Sequence, residues 1–183
     1  MIGLISLLSS CGYNEIVRKD EAVKAAWAQV ENVYQRRADL IPALVKTVKG
    51  AANYEKSTLE AVVAARASAT SVTIKADELT PENIAKYQRA QGELSTALGR
   101  LLAISENYPE LKANQNYLDL QTQLERTENR ISVERMKFNE AVQDYNTYIR
   151  KFPVNFLASF FSYQPKGYFQ AEAGSAKMPD IDL

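Results

Sequence analysis

Residues 105–153 read SENYPELKANQNYLDLQTQLERTENRISVERMKFNEAVQDYNTYIRKFP. Large apolar side chains recur in this stretch at every seventh position. They are Tyr117, Leu124, Ile131, Phe138, Tyr145 and Phe152. A hydrophobic period of 3.5 residues is typical of a helix packed lengthwise against other helices. The stretch therefore predicts one long helix of a helical bundle.

Two further stretches carry the same spacing and predict two more long helices. The first opens at Asp20 and Glu21, since acidic side chains favour the positive end of a helix dipole. Its two apolar ladders are Val23, Val30, Arg37, Leu44 and Ala51, and Trp27, Tyr34, Ile41 and Val48. The second starts at Thr80-Pro81-Glu82, an N-cap followed by proline and an acid, and runs to about Ile104. Pro109 then breaks the chain, and Asn114 caps the last long helix.

Pro42 lies inside the first of these helices. Proline lacks an N–H group and clashes with the preceding turn. The helix therefore either kinks near Pro42 or restarts there with Asp39 as its cap, and the spacing does not choose between them. Taken together, the patterns predict an all-α, antiparallel bundle of three to four long helices.

Length and composition restrict the class of protein. A chain of 183 residues with 46% apolar content fits one domain with its own core. Basic and acidic residues number 22 each, so no net field attracts nucleic acid. The chain has no His and one Cys, which removes His-based metal sites and His-dependent nucleophilic catalysis. We expect no metal, no cofactor and no enzymatic activity.

The single cysteine ends a short apolar run, in the sequence Leu8-Ser9-Ser10-Cys11. An apolar residue, two small residues and Cys resemble the cleavage motif of bacterial lipoproteins, in which the leader is removed and the Cys is acylated. We expect a lipid anchor on Cys11, although no basic residue precedes it. A plain secretory leader and a free thiol are the alternatives. The run is shorter than the ~20 apolar residues that a membrane-spanning helix needs.

Arg37 occupies an apolar ladder position, and a buried guanidinium needs a carboxylate. We predict a structural network that joins Arg37 to helix 105–153, with Glu128 or Glu134 as its carboxylate and with Arg135 and Asn139 as further members. Such a network would specify helix register, which we favour over a ligand site. Asn139 and Asn146 lie seven residues apart on one edge of the helix. We expect them to bond to a neighbouring helix or loop, with a partner protein as the alternative.

The end of the chain is rich in aromatic residues between 153 and 169. A short amphipathic helix followed by extended chain is predicted there. This segment either folds back on the bundle, lies in the membrane interface or docks a partner. The expected organisation is a leader (1–10), a tether (11–19), the bundle (20–152), the aromatic segment (153–169) and a disordered tail (170–183).

Several separated motifs occur in order along the chain. They are Arg36–Pro42, Val45–Gly50, Ser105–Asn114, Thr127–Arg130 and Phe138–Asn146 followed by Phe152-Pro153. These motifs resemble those of the LemA family of bacterial membrane-associated proteins, over about residues 13–169. The resemblance implies an antiparallel helical bundle held at a membrane, without an established enzymatic activity. Many members carry an N-terminal transmembrane helix, so this chain would be anchored differently.

The function expected from these observations is that of a membrane-anchored, non-enzymatic scaffold or interaction protein of the bacterial envelope. Its folded part would lie on the extracytoplasmic side, as in a periplasmic or outer-membrane lipoprotein. The main alternative is a sensor of a small ligand or lipid that uses the bundle end near Tyr108 and the aromatic segment. An enzyme is the third. Its protein partner is not evident from the sequence.

Overall fold

The structure of the protein is a computed structural model that describes residues 2–50, 56–105 and 107–171, with side chains from Gly12 onward. Its helices are α1 (Ile2–Lys49), α2 (Lys56–Ser71), α3 (Pro81–Ser105), α4 (Pro109–Lys112), α5 (Gln115–Ile149) and α6 (Val154–Phe160). The described residues include no strand. The prediction of an all-α bundle is confirmed.

The bundle is built from two antiparallel helix pairs. Helix α1 packs along α5, and α2 packs along α3. The direction of α5 follows from its contacts, because Lys19 reaches Asp144 whereas Arg37, farther along α1, reaches Glu128. The apolar ladders of α1, α3 and α5 supply most of the buried side chains, as their seven-residue spacing predicts.

Helix α1 begins earlier than the sequence analysis predicts. Its start is at Ile2 and not at Asp20, and residues 12–19, which were expected to form part of a tether, are helical. Ile16 is fully buried, seven residues before Val23. The apolar ladder of α1 therefore extends one repeat farther toward the N-terminus, which gives this part of the helix a core to pack against.

Helix α1 continues through Pro42 to Lys49, so the helix does not restart at Asp39. The predicted caps of the later helices are present. The Thr80 hydroxyl accepts the N–H of Asn83 at 3.3 Å, and the Asn114 side chain accepts the N–H of Tyr117 at 3.2 Å. These contacts satisfy N–H groups that have no partner inside the helix.

The core is divided into two apolar clusters along the length of α1. One surrounds Trp27 and Phe138, and the other surrounds Leu44 and Leu94. Arg37 lies on α1 between Tyr34 of the first cluster and Ile41 of the second. A charged side chain thus separates two stretches of apolar packing.

After α6 the chain turns back along the bundle. Ser162 has a positive φ of 60°, a left-handed conformation that reverses the chain direction. Residues 163–171, which we call the C-terminal strap, then run without helix across α3 and α5. The last residues of the predicted disordered tail, 172–183, lie outside the described residues, as does the side chain of Cys11.

Candidate functional site

The most buried charged side chain is that of Arg37, at 1% exposure. Its Nη1 donates to the Ser95 hydroxyl and to the Glu128 carboxylate, both at 2.6 Å. Its Nη2 donates to the side-chain oxygen of Gln91 at 2.7 Å and to the Gln91 carbonyl at 3.1 Å. The guanidinium also lies 5.0 Å from the centre of the Tyr34 ring, within the range of a cation–π contact.

The Arg37 cluster joins four helices. Gln91 of α3 accepts from Arg37 of α1 and donates its own Nε2 to the Ala69 carbonyl of α2 at 3.2 Å. Glu128 adds α5. Because its members come from four helices, the cluster connects these helices at one level of the bundle.

Only one of the predicted carboxylates meets Arg37. Glu128 does so, while Glu134 pairs with Arg130 and Lys137 of its own helix. Arg135, Asn139 and Asn146 also lie elsewhere, for they contact the C-terminal strap. The reason is their height on α5, which is about two turns (Arg135) to five turns (Asn146) beyond Glu128 on the side that the strap covers.

Gln91 and Ser95 were not among the predicted partners of Arg37. Gln91 could have been identified from the sequence, because it is a polar residue on the face of α3 that carries apolar residues such as Tyr87 and Leu94. The Gln91 residue is 6% exposed. A buried amide at such a position requires polar partners. Nothing in the sequence marked Ser95 as a partner of Arg37. Ser95 follows Gln91 by one turn, and its hydroxyl also donates to the Gln91 carbonyl.

Three side-chain amides hold the C-terminal strap by its backbone. Asn146 donates to the Lys166 carbonyl at 2.9 Å and accepts the Lys166 N–H at 2.8 Å. Asn139 makes the same pair of bonds with Phe169, both at 2.9 Å, and Gln88 of α3 makes it with Gln170, also at 2.9 Å. Each amide thus donates one hydrogen bond to the extended backbone and accepts one from it, as a neighbouring strand does in a sheet.

The spacing of the two asparagines matches the strap. Seven helical residues rise about 10.5 Å, and three extended residues span about 10 Å. Asn139 and Asn146 are seven apart, while Phe169 and Lys166 are three apart and run in the opposite direction. The seven-residue interval noted in the sequence is therefore the interval that an antiparallel extended segment requires.

The strap also places two side chains in the bundle. The Lys166 ammonium lies 2.8 Å from the Asp20 carboxylate, and the Asp20 residue is 9% exposed. Burial alone would raise the pKa of Asp20, but hydrogen bonds from Lys166 and Lys24 outweigh it and lower that pKa. Phe169 is 4% exposed and stacks on Trp27, with ring centres 6.1 Å apart. The strap is therefore part of the core.

Helix α6 packs differently, because its phenylalanines point outward. Phe152 and Phe160 are 81% and 80% exposed, and Phe156 is 65% exposed. Ala158 is buried, and the Leu157 side chain lies against Gly12 of α1. The predicted aromatic segment thus divides into a strap that folds on the bundle and a helix that exposes aromatic rings where α1 enters the core.

The opposite end of the bundle has an open groove of about 760 Å³ between α1, α4 and α5. Its polar lining includes Lys46, Glu110, Asp119 and Gln123. A cavity of about 10 Å³ lies beside Tyr108 and is too small for a ligand. The structure places the Tyr108 end and the aromatic segment at opposite ends of the bundle, so the two regions named for a sensor do not share one pocket.

Within residues 2–50, 56–105 and 107–171, no helix is long and apolar enough to cross a membrane. In the same ranges no three His, Cys, Asp or Glu side chains gather as metal ligands would.

Comparison with known proteins identifies relatives of this chain. The sequence profile of the LemA family matches residues 26–183. Protein LemA of Metamycoplasma hominis is 23% identical over 158 residues, which are 86% of this chain and 68% of the relative. Magnetosome protein MamQ 2 of Paramagnetospirillum magneticum is 38% identical over 81 residues, 44% of this chain and 30% of the relative. MamQ of Magnetospirillum gryphiswaldense is likewise 38% identical over 80 residues, 44% of this chain and 29% of its own length.

Proposed function

The chain belongs to the LemA family, and from that premise we propose that it is a membrane-anchored, non-enzymatic scaffold or interaction protein of the bacterial envelope. The bundle would be held by its N-terminal end, through an acyl group on Cys11, with the folded part on the extracytoplasmic side. From there it would present the surface of α3 and α5 to protein partners.

One observation carries this proposal. Helix α1 contains the uncharged run of residues 2–14, and its buried side chains continue along the core as far as Val48. An anchor at Cys11 would therefore be continuous with the most buried helix of the bundle, without a flexible hinge between them. A rigid connection of this kind suits a protein that holds partners at a set distance from a membrane.

The buried polar groups support a scaffold over an enzyme. Asp20 and Glu134 each lie within 4 Å of lysine or arginine side chains, so they are paired and are not poised as acids or bases. Asn146 is occupied by the strap, and Arg37 by residues of α3 and α5. These side chains are used to fix the fold, whereas a catalytic site keeps such groups available to a substrate.

The relatives named as magnetosome proteins support an association with bacterial cell structures in general terms. The chain spans about 30% of their length, and they match less than half of it. We therefore infer neither a cargo nor an organelle for this chain from these relatives.

The proposal is tested by the mass and location of the protein in its own cell. We expect the protein extracted from membranes to begin at Cys11 and to carry added acyl mass, and a Cys11→Ala variant to leave the membrane fraction. Ser9→Thr, which keeps the cysteine, is a control that should remain anchored. An unmodified chain in the soluble fraction would contradict the proposal.

The groove between α1, α4 and α5 favours the second candidate, a sensor of a small polar ligand. Lys46 on one wall and Asp119 on the other could hold a zwitterion. Native mass spectrometry of the freshly extracted protein would test this function. A bound small molecule that is lost in Leu120→Lys but kept in Leu118→Lys would support it.

A further inference from the structure

Helix α6 exposes one face that consists of aromatic rings. Phe156 and Phe160 are four residues apart in α6, which places them on one side of the helix, and Phe152 precedes the helix by two residues. Phe152 and Phe156 are in contact, with ring centres 6.0 Å apart, and Phe161 packs on Phe160 at 5.1 Å. We call these four residues the aromatic face.

The opposite side of α6 is fixed to the bundle. A methyl group of Leu157 would lie 3.2 Å from a Cβ on Gly12, and Val154 approaches the same glycine. The Tyr13 ring lies 4.8 Å from that of Phe161. These contacts to α1 hold α6 in one orientation, so the aromatic face is a fixed surface and not a mobile tail.

The aromatic face lies in an uncharged stretch of the chain that is directly preceded by two basic residues. Residues 152–165 contain no charged side chain, and neither do residues 2–14 at the start of α1. Arg150 and Lys151, both exposed, precede the aromatic face directly. Uncharged aromatic surface bordered by cations is typical of segments that lie at the boundary between lipid and water.

The size of the aromatic face argues for lipid over a protein partner. At ~150–250 Å² for each aromatic side chain, the exposed fractions of the four phenylalanines correspond to roughly 400–700 Å². A stable protein interface takes about 800 Å² from each partner. The aromatic face also contacts α1 through Tyr13, at the end of the uncharged run of residues 2–14.

We propose that the aromatic face of α6 inserts into the interfacial layer of the membrane, as a second contact beside the N-terminal anchor. The aromatic face would contact the boundary between the acyl chains and the headgroups of a lipid leaflet, with Arg150 and Lys151 at the level of the phosphates. The inference rests on the proposed membrane anchoring for its location. With two contacts at one end, the bundle would stand at a fixed angle to the membrane and would not pivot on a single lipid.

The first test places a probe on the aromatic face. A Phe160→Cys variant in a Cys11→Ala background is labelled with a fluorescent dye and mixed with vesicles of phosphatidylethanolamine and phosphatidylglycerol (about 7:3) that contain spin-labelled lipid. Met136→Cys is the matched control, because Met136 is 56% exposed and lies on α5, about 20 Å along the helix axis before Ile149, where α5 ends. We expect quenching at position 160 to be at least ~3-fold stronger than at position 136.

The second test removes the aromatic face. A Phe156→Ser/Phe160→Ser double variant should bind the same vesicles about tenfold or more weakly, whereas Val63→Ser/Met136→Ser should bind as the parent does. Both pairs replace exposed apolar side chains, so the comparison isolates the position of the change. Circular dichroism on both variants establishes that the bundle is folded.

The outcomes separate this inference from the proposed function. A protein that is acylated and membrane-bound in cells, but whose position 160 is no better quenched than position 136, would overturn the inference and leave the anchor in place. Soluble protein in cells would contradict the proposed function, while the vesicle experiments would still decide whether the aromatic face binds lipid. Burial of position 160 that rises with protein concentration in the absence of vesicles would assign the aromatic face to a second copy of the chain and overturn the inference.

Discussion

Arg66 of α2 donates its Nε–H to the carbonyl oxygen of Ala38 in α1, at 2.8 Å. Ala38 lies four residues before Pro42, so its carbonyl is the one that the missing proline N–H leaves without a helical partner. Ala38 is 3% exposed, and water has little access to it. The long first helix therefore passes through a proline because a side chain from the neighbouring helix replaces the lost hydrogen bond.

We expect the effects of changing Arg66 and Pro42 to be coupled. Arg66→Met alone should lower the free energy of unfolding by about 1–3 kcal/mol, since it leaves a buried carbonyl unpaired. In a Pro42→Ala background the alanine N–H can bond to Ala38, and the same change should cost under about 1 kcal/mol. Urea unfolding of the two single variants and the double variant measures the difference. Equal costs in both backgrounds would show that Arg66 does not act through this carbonyl.

Arg37 should matter far more than its ion pair with Glu128. Arg37→Met removes the donor to the buried side-chain oxygen of Gln91 and to the partly buried Ser95 hydroxyl, and we expect it to lower the free energy of unfolding by about 2–4 kcal/mol. Glu128→Gln should cost under about 1 kcal/mol, because the Glu128 side chain is 42% exposed. The exposed Arg126→Met is the control for losing an arginine from the surface. If Arg37→Met kept full stability and the same helix pairing, the cluster would not specify register.

The helices could be predicted from the sequence because the residues that determine each helix are close together in the chain. The seven-residue ladder of α5, the N-cap at Asn114 and the start at Pro81 depend on residues within a few positions of one another. The same ladder in α1 includes Ile16, so extending it by one repeat moves the predicted start of the helix from Asp20 to Ile16 or earlier. The acidic pair at Asp20 and Glu21, which favours a helix start, lies inside α1 instead.

The partners of the polar residues could not be predicted in the same way. A buried Asn or Gln indicates that partners exist, but the partners of Asn146 are 20 residues away and those of Arg37 are 54 and 91 residues away. Which side chains meet depends on how the helices align along their lengths. A single sequence carries that information only in the combined packing of every helix, so the choice of Glu128 over Glu134 stayed open.

Asn146 provides a direct test of the strap. Asn146→Ala removes both hydrogen bonds to the buried Lys166 backbone, and we expect a loss of about 2–4 kcal/mol in the free energy of unfolding. Asn129→Ala is the matched control, since Asn129 is exposed on the same helix and alanine should stabilise it slightly. Hydrogen exchange should show faster exchange of the Lys166 and Phe169 amides in Asn146→Ala. Unchanged protection would mean that other contacts suffice to hold the strap.

Gly167 should not tolerate a side chain. A Cβ at this position would lie 2.7 Å from the Cα of Pro81 and 2.9 Å from the Thr80 carbonyl oxygen, and the Gly167 N–H bonds to Leu79 at 2.9 Å. Gly167→Ala should therefore push the strap away from the start of α3 and cost about 1–3 kcal/mol.

The control for Gly167 is Gly92→Ala, which should have the opposite sign. Gly92 lies inside α3 with nothing within 4 Å of an added Cβ, so alanine should stabilise the helix by about 0.5–1 kcal/mol. Thermal unfolding of the two variants beside the parent gives the comparison. A stabilising effect of Gly167→Ala would contradict the close approach of the strap to Pro81.

The ion pair between Asp20 and Lys166 should make stability depend on acid pH. The hydrogen bonds from Lys166 and Lys24 outweigh burial and hold the pKa of Asp20 below its ordinary value. A carboxyl whose pKa is lower in the folded than in the unfolded protein stabilises the fold above its unfolded pKa, and this contribution is lost as the pH falls through the folded value. The free energy of unfolding should therefore fall below about pH 4. Asp20→Asn should remove part of that fall, while Asp77→Asn, at an exposed position, should leave it unchanged. Parallel pH profiles for Asp20→Asn and the parent would show that the ion pair does not contribute to the free energy of unfolding.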